Sequence, residues 1–321
     1  MRYALQRFVQ FVVVFVLVTF GVLVLLRLGL DAPGDPARTM LGGSPSLEQI
    51  EATTKEFKLD ENYFVQYWYW LKELVQGNFG YSVQNNLPVS ELITTRVMTT
   101  VLLGFYAIVL ALLISVPLAV YQAYRRDRAF DRAASGGTFL FVSVPTIVLA
   151  TFVALIFVEN LGWFPRIGDK IYPWEDFGAH IENFFLPTLT LTLPLAAIFT
   201  RLLRGDMSMT LQSDFVSLAR AKGLSPARIL WRHALRNSVF TLLTAVGVQL
   251  GALIGGAVVA EVFFDLDGLG SGLIIAVLSS DLFTVQAIVA LLVITVVVAN
   301  LLIDLLYSAI DPRIRVARAL G

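Results

Sequence analysis

The sequence predicts an all-α, polytopic membrane bundle of six transmembrane helices, and three observations carry that expectation. Hydrophobic residues make up 57% of the 321 and charged residues only 15%, too apolar a balance for a soluble domain. The apolar residues fall into six runs, at about 8–28, 101–121, 138–158, 184–203, 240–264 and 284–307. Each approaches the ~20 residues that a bilayer crossing needs. Lysine and arginine then divide unequally between alternate connections, the asymmetry that orients membrane proteins.

One set of flanks carries Arg2 and Arg7; Arg125, Arg126, Arg128 and Arg132; Arg201, Arg204, Arg220, Lys222, Arg228, Arg232 and Arg236; and Arg313, Arg315 and Arg318. The other carries Arg38, Lys55, Lys58, Lys72, Arg96, Arg166 and Lys170, sixteen against seven, with Arg27 at a span end. Both termini are therefore expected in the cytoplasm. The first run is longer than a signal-peptide core and is followed by no small-residue cleavage site, so an uncleaved first span is expected.

Between the first two spans lies a long outer segment, too polar to cross. Tyr63, Phe64, Tyr67, Trp68, Trp70, Leu71 and Leu74 recur there at helical spacing, which fits either a helix lying on the membrane or bundle, or a docking surface for an external partner. Pro117 and Pro145 read as kinks inside the second and third spans, tolerated where neighbours re-satisfy the freed carbonyl. The fourth span opens Leu186-Pro-Thr-Leu-Thr-Leu-Thr-Leu-Pro194. It is either an irregular start buried in protein or a lining of the solute path. Gly247, Gly251 and Gly255 share one face of the fifth span, a small-residue strip for close helix packing within the chain or against a second one. Glu261, near its outer end, is expensive in a membrane unless paired or wet. It fits either a cap on the following turn or the solute path. Asn300 and Asp304 share a face of the last span.

The stretch 214–237 is a polar, basic insert between the fourth and fifth spans. Asp214 places negative charge at a helix start, Gly223 stands where a C-terminal glycine belongs, and Ser225-Pro226 reads as an N-cap with proline at the first helical position. Two short helices with a hard break are expected, the second running to about Asn237.

This insert resembles the cytoplasmic EAA loop of ABC-importer permeases, in the form seen in dipeptide and oligopeptide permeases. Ala219, Gly223 and Leu235 fit the general signature, while Ser217-Leu218 and Arg236 replace its Glu-Ala pair and final proline. The peptide-branch pattern is matched by Ala219-Arg-Ala-Lys-Gly-Leu224 and Arg232-His-Ala-Leu-Arg-Asn237. The same branch is resembled at Gln66-Tyr-Trp with Gly77-Asn-Phe-Gly-Tyr-Ser82, and at Gly255-Gly-Ala-Val-Val-Ala-Glu-Val-Phe263 followed by Gly268-Leu-Gly270. It is resembled again at Asn300, Asp304 and Tyr307 followed by Asp311-Pro-Arg-Ile-Arg315. Asn62-Tyr63 and Asp265-Leu-Asp267 depart from it.

The resemblance implies a type I ABC-importer-like fold, with residues 1–95 forming the first span and outer segment. Residues 96–321 would be the permease core, carrying a coupling loop at about 205–238. It implies that the loop engages a separate ATPase through Asp214, Phe215, Leu218, Ala219, Arg220, Lys222, Gly223, Leu224, Arg228, His233 and Asn237, with Ile229 and Leu230 joining Phe215 and Leu218 as apolar anchors. It also implies a second homologous permease, two ATP-binding subunits that hold the ATP and magnesium, an extracytoplasmic solute-binding protein, surrounding membrane lipid, and a multi-pass place in the cell membrane. Gln249, Glu261 and Asn300 are the candidate solute-path residues. The cargo expected is peptide; nickel and glutathione permeases share the fold.

The chain has no cysteine and two histidines, His180 and His233, which leaves no thiolate metal site and too few imidazoles for a histidine one to be expected. No Gly-x-x-x-x-Gly-Lys-Ser/Thr is present, and Gly268-Leu-Gly-Ser-Gly272 follows an apolar helix rather than a strand. No cofactor is expected on this chain, and its zero net charge does not suggest nucleic acid. Neither Gly-x-Ser-x-Gly nor His-Glu-x-x-His occurs. A self-sufficient carrier or membrane enzyme is the competing class; the former would be expected to show inverted repeats and a mid-bilayer charge.

Overall fold

The computed structural model describes residues 2–30, 36–41, 44–82, 87–165 and 170–310; the Asp311–Arg315 motif and Arg166 lie outside them. The helices in order are α1 (Arg2–Leu30), α2 (Pro36–Leu41), α3 (Leu47–Glu56), α4 (Tyr63–Val75), α5 (Val89–Tyr124), α6 (Ala129–Ser143), α7 (Thr146–Ala154), α8 (Phe177–Thr210), α9 (Asp214–Ala221), α10 (Pro226–Arg228), α11 (Leu235–Phe263), α12 (Leu269–Leu278) and α13 (Leu282–Ile310). A two-stranded hairpin, β1 (Tyr81–Ser82) with β2 (Leu87–Pro88), precedes α5.

Among the described residues five helical stretches are long and apolar enough to cross a bilayer: Phe8–Leu28, Val89–Tyr124, Phe177–Thr210, Pro226–Phe263 and Leu282–Ile303. The run expected as a third, kinked span is instead broken. Ala129–Ser143 and Thr146–Asn160 meet at 109°, and together they supply a sixth crossing if the bent pair counts as one. Pro145 has no N–H to continue the helix and drives its predecessor out of the helical region; Val144 is extended, at φ −86° and ψ 125°. By contrast Pro117 sits inside continuous α5, and Pro187 and Pro194 inside continuous α8.

By contact the chain forms two compact units, Met1–Met98 with Asp267–Val298, and Thr99–Leu266 with Ala299–Gly321. In the first, α4 uses its aromatic stripe against α1. Phe20 stacks on Phe64 with ring centres 5.1 Å apart and meets Tyr67 edge-on at 5.3 Å. The Tyr67 and Thr19 hydroxyls share a 2.8 Å hydrogen bond. Asn62, where the sequence departs from the peptide-permease form, caps α4 by accepting the Val65 N–H at 3.0 Å. Arg27 is buried and donates to the Leu59 carbonyl at 2.6 Å. The start of α13 is fixed by Asp281, which accepts from the Thr284 hydroxyl at 2.8 Å and from Ser82 of the hairpin. Asp267 pairs with Arg96, Nε to Oδ1 at 2.5 Å.

In the second unit α8 is the central helix, with two thirds (67%) of its most apolar window buried against 22% for α5. It carries Leu191, Leu195, Phe199, Leu203 and Met207 into a core shared with Leu103 and Ala107 of α5 and with Leu253, Ala257 and Ala260 of α11. The fourth-span threonines serve this packing. Thr190 bonds back to the Leu186 carbonyl at 2.9 Å, and Thr192 reaches the Ala107 carbonyl at 3.4 Å. Helices α8 and α11 approach closely at Gly256, where a Cβ would lie 3.0 Å from Leu191 Cδ2. A Gly256→Val variant is expected to lose about 1–3 kcal/mol through overpacking. Thermal unfolding in detergent measures it, and an unchanged midpoint would mean that the two helices part without penalty.

Candidate functional site

The insert begins where α8 ends at Thr210. Ser213, extended at φ −72° and ψ 155°, leads into α9, with Asp214 in the first turn and Arg220 in the last, both charges favourable for the helix dipole. The stop is made by Gly223 at φ +76°, a left-handed conformation that glycine adopts without cost. Its N–H donates to the Arg220 carbonyl at 2.9 Å, and the Leu224 N–H to the Ala219 carbonyl at 3.2 Å. Ser225 then caps α10, its hydroxyl accepting from the Arg228 N–H at 3.4 Å, with Pro226 in the first turn.

Two sequence expectations change here. The second insert helix does not end near Asn237. It passes through a wider π turn, Ile229–Ala234, directly into α11, and the helical stretch Pro226–Phe263 is one element of 38 residues. No glycine or proline interrupts 227–246, so nothing local stops it. The second change concerns the apolar anchors. Val216, Ala219 and Ile229 form a small core with Leu211 and Leu224 that ties α9 to the root of α11. Ile229 and Leu230 are 4% and 9% exposed, so they are internal struts; Phe215 and Leu218, at 46% and 57%, remain available to a partner. Trp231, 51% exposed, joins them and is a residue that the sequence reading does not single out. A tryptophan inside a basic insert was the available signal. Asp214, Arg220, Lys222, Gly223, Arg228 and Asn237 are also exposed, His233 and Leu224 are half-buried, and Ala219 is buried.

The site is thus a two-armed basic platform with three exposed apolar side chains, its second arm continuous with a membrane-crossing helix. Residues 115–316 match the family model described as "Binding-protein-dependent transport system inner membrane component", and residues 1–104 match the N-terminal model of such membrane components. The chain belongs to this family. A "probable peptide ABC transporter permease" of Sinorhizobium fredii is 33% identical over 318 residues, covering 98% of this chain and 99% of the relative. An oligopeptide transport system permease of Bacillus subtilis is 35% identical over 285 residues, and a glutathione transport system permease of Escherichia coli is 32% identical over 283; each alignment covers 88% of this chain and 90% of the relative.

In this inner membrane component the other candidate residues separate. Glu261 is fully buried and its carboxylate accepts from the Thr100 hydroxyl at 2.6 Å. Asn300 lies over Gly247, with Oδ1 3.2 Å from where a Cβ would stand, and Gln249 is half-buried. Among the described residues no atom comes within 4 Å of a Cβ built on Gly251 or Gly255, and with Val248, 72% exposed, they form an open strip on α11. Close packing within the chain therefore uses Gly247 and Gly256, not the whole glycine series. Sequence reasoning also passes over Asp131 on α6, which is 1% exposed and takes both Nε, at 2.8 Å, and Nη2 of Arg204 on α8, together with the Asp127 N–H at 2.9 Å. That clamp holds the α5–α6 connection onto the helix that leads into the insert. An aspartate inside the arginine cluster 125–132 was its only trace.

Proposed function

We propose that the chain is the transmembrane permease subunit of an ATP-driven importer of di- and oligopeptides, with no ATP site of its own. Separate ATPase subunits hold it by the 214–237 insert. A homologous permease completes the pore, and an extracytoplasmic binding protein delivers the cargo. The observation that carries the reading is the platform itself: Trp231 projects from the helical stretch Pro226–Phe263, which is continuous with a membrane crossing, and Phe215 and Leu218 project from α9, which is packed on the root of that stretch through Val216, Ala219 and Ile229. A groove on an ATPase that takes those side chains would move the crossing with it. The open Gly251–Gly255 strip supports a permease partner seated on α11, because small residues let helix backbones approach.

The peptide cargo rests on the names of relatives that span nearly the whole chain. The second reading, glutathione, is favoured by a relative of that name at similar identity; glutathione is itself a tripeptide, so the two differ in cargo and not in mechanism. The test is ATP-dependent uptake by the co-expressed permease pair, ATPases and binding protein, offered labelled di-, tri- and pentapeptides and glutathione. Competition by unlabelled peptides of several sequences is expected. Uptake confined to glutathione selects the second reading, and solute flux through the chain alone without ATP overturns both. Gly251→Leu is expected to leave the chain folded and to cut co-purification of the second permease at least about tenfold, the factor for 1.4 kcal/mol. Undiminished pairing would remove α11 from that interface.

A further inference from the structure

A cavity of 740 Å³ lies beside the insert, lined by the α5–α6 connection, the end of α8, α9 and the residues just after it. Its polar lining includes Arg126, Arg220, Asp127 and Ser208, two guanidiniums against one carboxylate. Each guanidinium has five N–H donors. Arg220 gives one to the Leu211 carbonyl at 3.5 Å, and Arg126 stands 3.5 Å from the Asp127 carboxylate, both of those side chains exposed. Ser208 is 6% exposed and its hydroxyl has no partner among the described residues. A buried donor in that state favours any ligand that accepts from it. Beside the cavity, Arg125 lies over the rings of Tyr121 and Tyr124, 6.0 and 5.4 Å from their centres, at the end of the α5 crossing. Tyrosine and arginine together at a span end mark headgroup depth.

Helix α9 separates this cavity from the surface proposed above for the ATPase. At about 100° per residue, Ser217 and Arg220 lie on one flank and Phe215 and Leu218 on nearly the opposite one. We propose that the cavity binds the phosphate of an anionic lipid headgroup, held by Arg126 and Arg220 with Ser208 donating from the floor. The choice of face rests on the coupling reading; the phosphate chemistry does not. Basic pockets between membrane helices on the cytoplasmic side take such headgroups.

The experiment uses the assembled permease–ATPase complex in nanodiscs of phosphatidylcholine with graded phosphatidylglycerol, reading retained phosphatidylglycerol by native mass spectrometry, with inorganic phosphate as soluble competitor. The double variant Arg126→Ala/Arg220→Ala is expected to bind phosphatidylglycerol about 25-fold more weakly, at about fivefold per arginine near an anionic surface. Arg132→Ala, an exposed arginine outside the lining, is expected to bind as the parent does. Asp127→Asn removes only the carboxylate from a left-handed position that asparagine tolerates; it is expected to tighten binding, a gain that misfolding cannot mimic. Displacement of lipid by millimolar inorganic phosphate, with the same variant pattern, upholds the phosphate site and assigns it a soluble source. Retention unaffected by the arginine pair and by Asp127→Asn overturns the proposal. Peptide uptake measured on the same samples separates this failure from failure of the importer reading, since lipid retention needs no cargo.

Discussion

Gly223→Pro is expected to abolish cargo-stimulated ATP hydrolysis in the assembled complex, while the chain still inserts and retains its membrane helices. Gly223 has φ +76° and donates its N–H to Arg220. Proline fixes φ near −65° and has no N–H to give, and it pushes the preceding Lys222 away from its helical C-cap conformation. No described atom lies within 4 Å of the added Cβ position, so the fault is in the backbone and not in crowding. The consequence is positional. The Gly223 bond to the Arg220 carbonyl is lost and the 6→1 bond from the Leu224 N–H to Ala219 is lost with the turn, α9 leaves its seat on Ile229 and Leu224, and Phe215 and Leu218 no longer present one fixed surface. Gly223→Ala tests the same point more gently, since a left-handed alanine costs roughly 1–2 kcal/mol; partial uncoupling is expected. A well-assembled proline variant that couples ATP hydrolysis to uptake at the parent rate would sink the coupling proposal.

Asp131→Ala is expected to destabilise the chain by about 3–5 kcal/mol, a second large effect with a different origin. The aspartate is 1% exposed and satisfies two N–H groups of Arg204 as well as the Asp127 amide. Removing it strands a guanidinium whose side chain is only 28% exposed. Replacing both members by apolar side chains of similar size, Asp131→Leu with Arg204→Met, is expected to cost much less, because a buried pair contributes little over a well-packed apolar substitute. Thermal unfolding in one detergent compares the three proteins. A single variant no worse than the double one would show that Arg204 finds water or another acceptor.

These two sites also mark how far residues alone could be read. Gly223, Ser225 and Pro226 act through local backbone chemistry, so the break between α9 and α10 was legible, as were the apolar runs that became spans. The course of the chain beyond Pro226 was not legible. Whether a helix stops at Asn237 depends on a stop signal, and polar residues on its exposed turns are not one. The identity of the buried anchors was hidden for a related reason. Phe215, Leu218, Ile229 and Leu230 are alike in composition, and only the docking of α9 on α11 decides which pair faces outward. Pro145 and Pro117 were indistinguishable in the chain, yet one breaks its helix and the other does not. Asp131 and Arg204 are 73 residues apart, a separation that no pattern in the chain reports.

The continuity of the helical stretch from Pro226 through the π turn to Phe263 has a mechanical meaning. Thirty-eight residues at 1.5 Å each make a rod of about 57 Å, longer than the hydrocarbon layer it pierces, so one end stands clear in the cytoplasm. Under the coupling proposal the rod would work as a seesaw, with the open Gly251–Gly255 strip near its outer third as the bearing. A sideways pull of a few ångströms on the protruding end swings the far end the opposite way, with no chemistry needed inside the membrane.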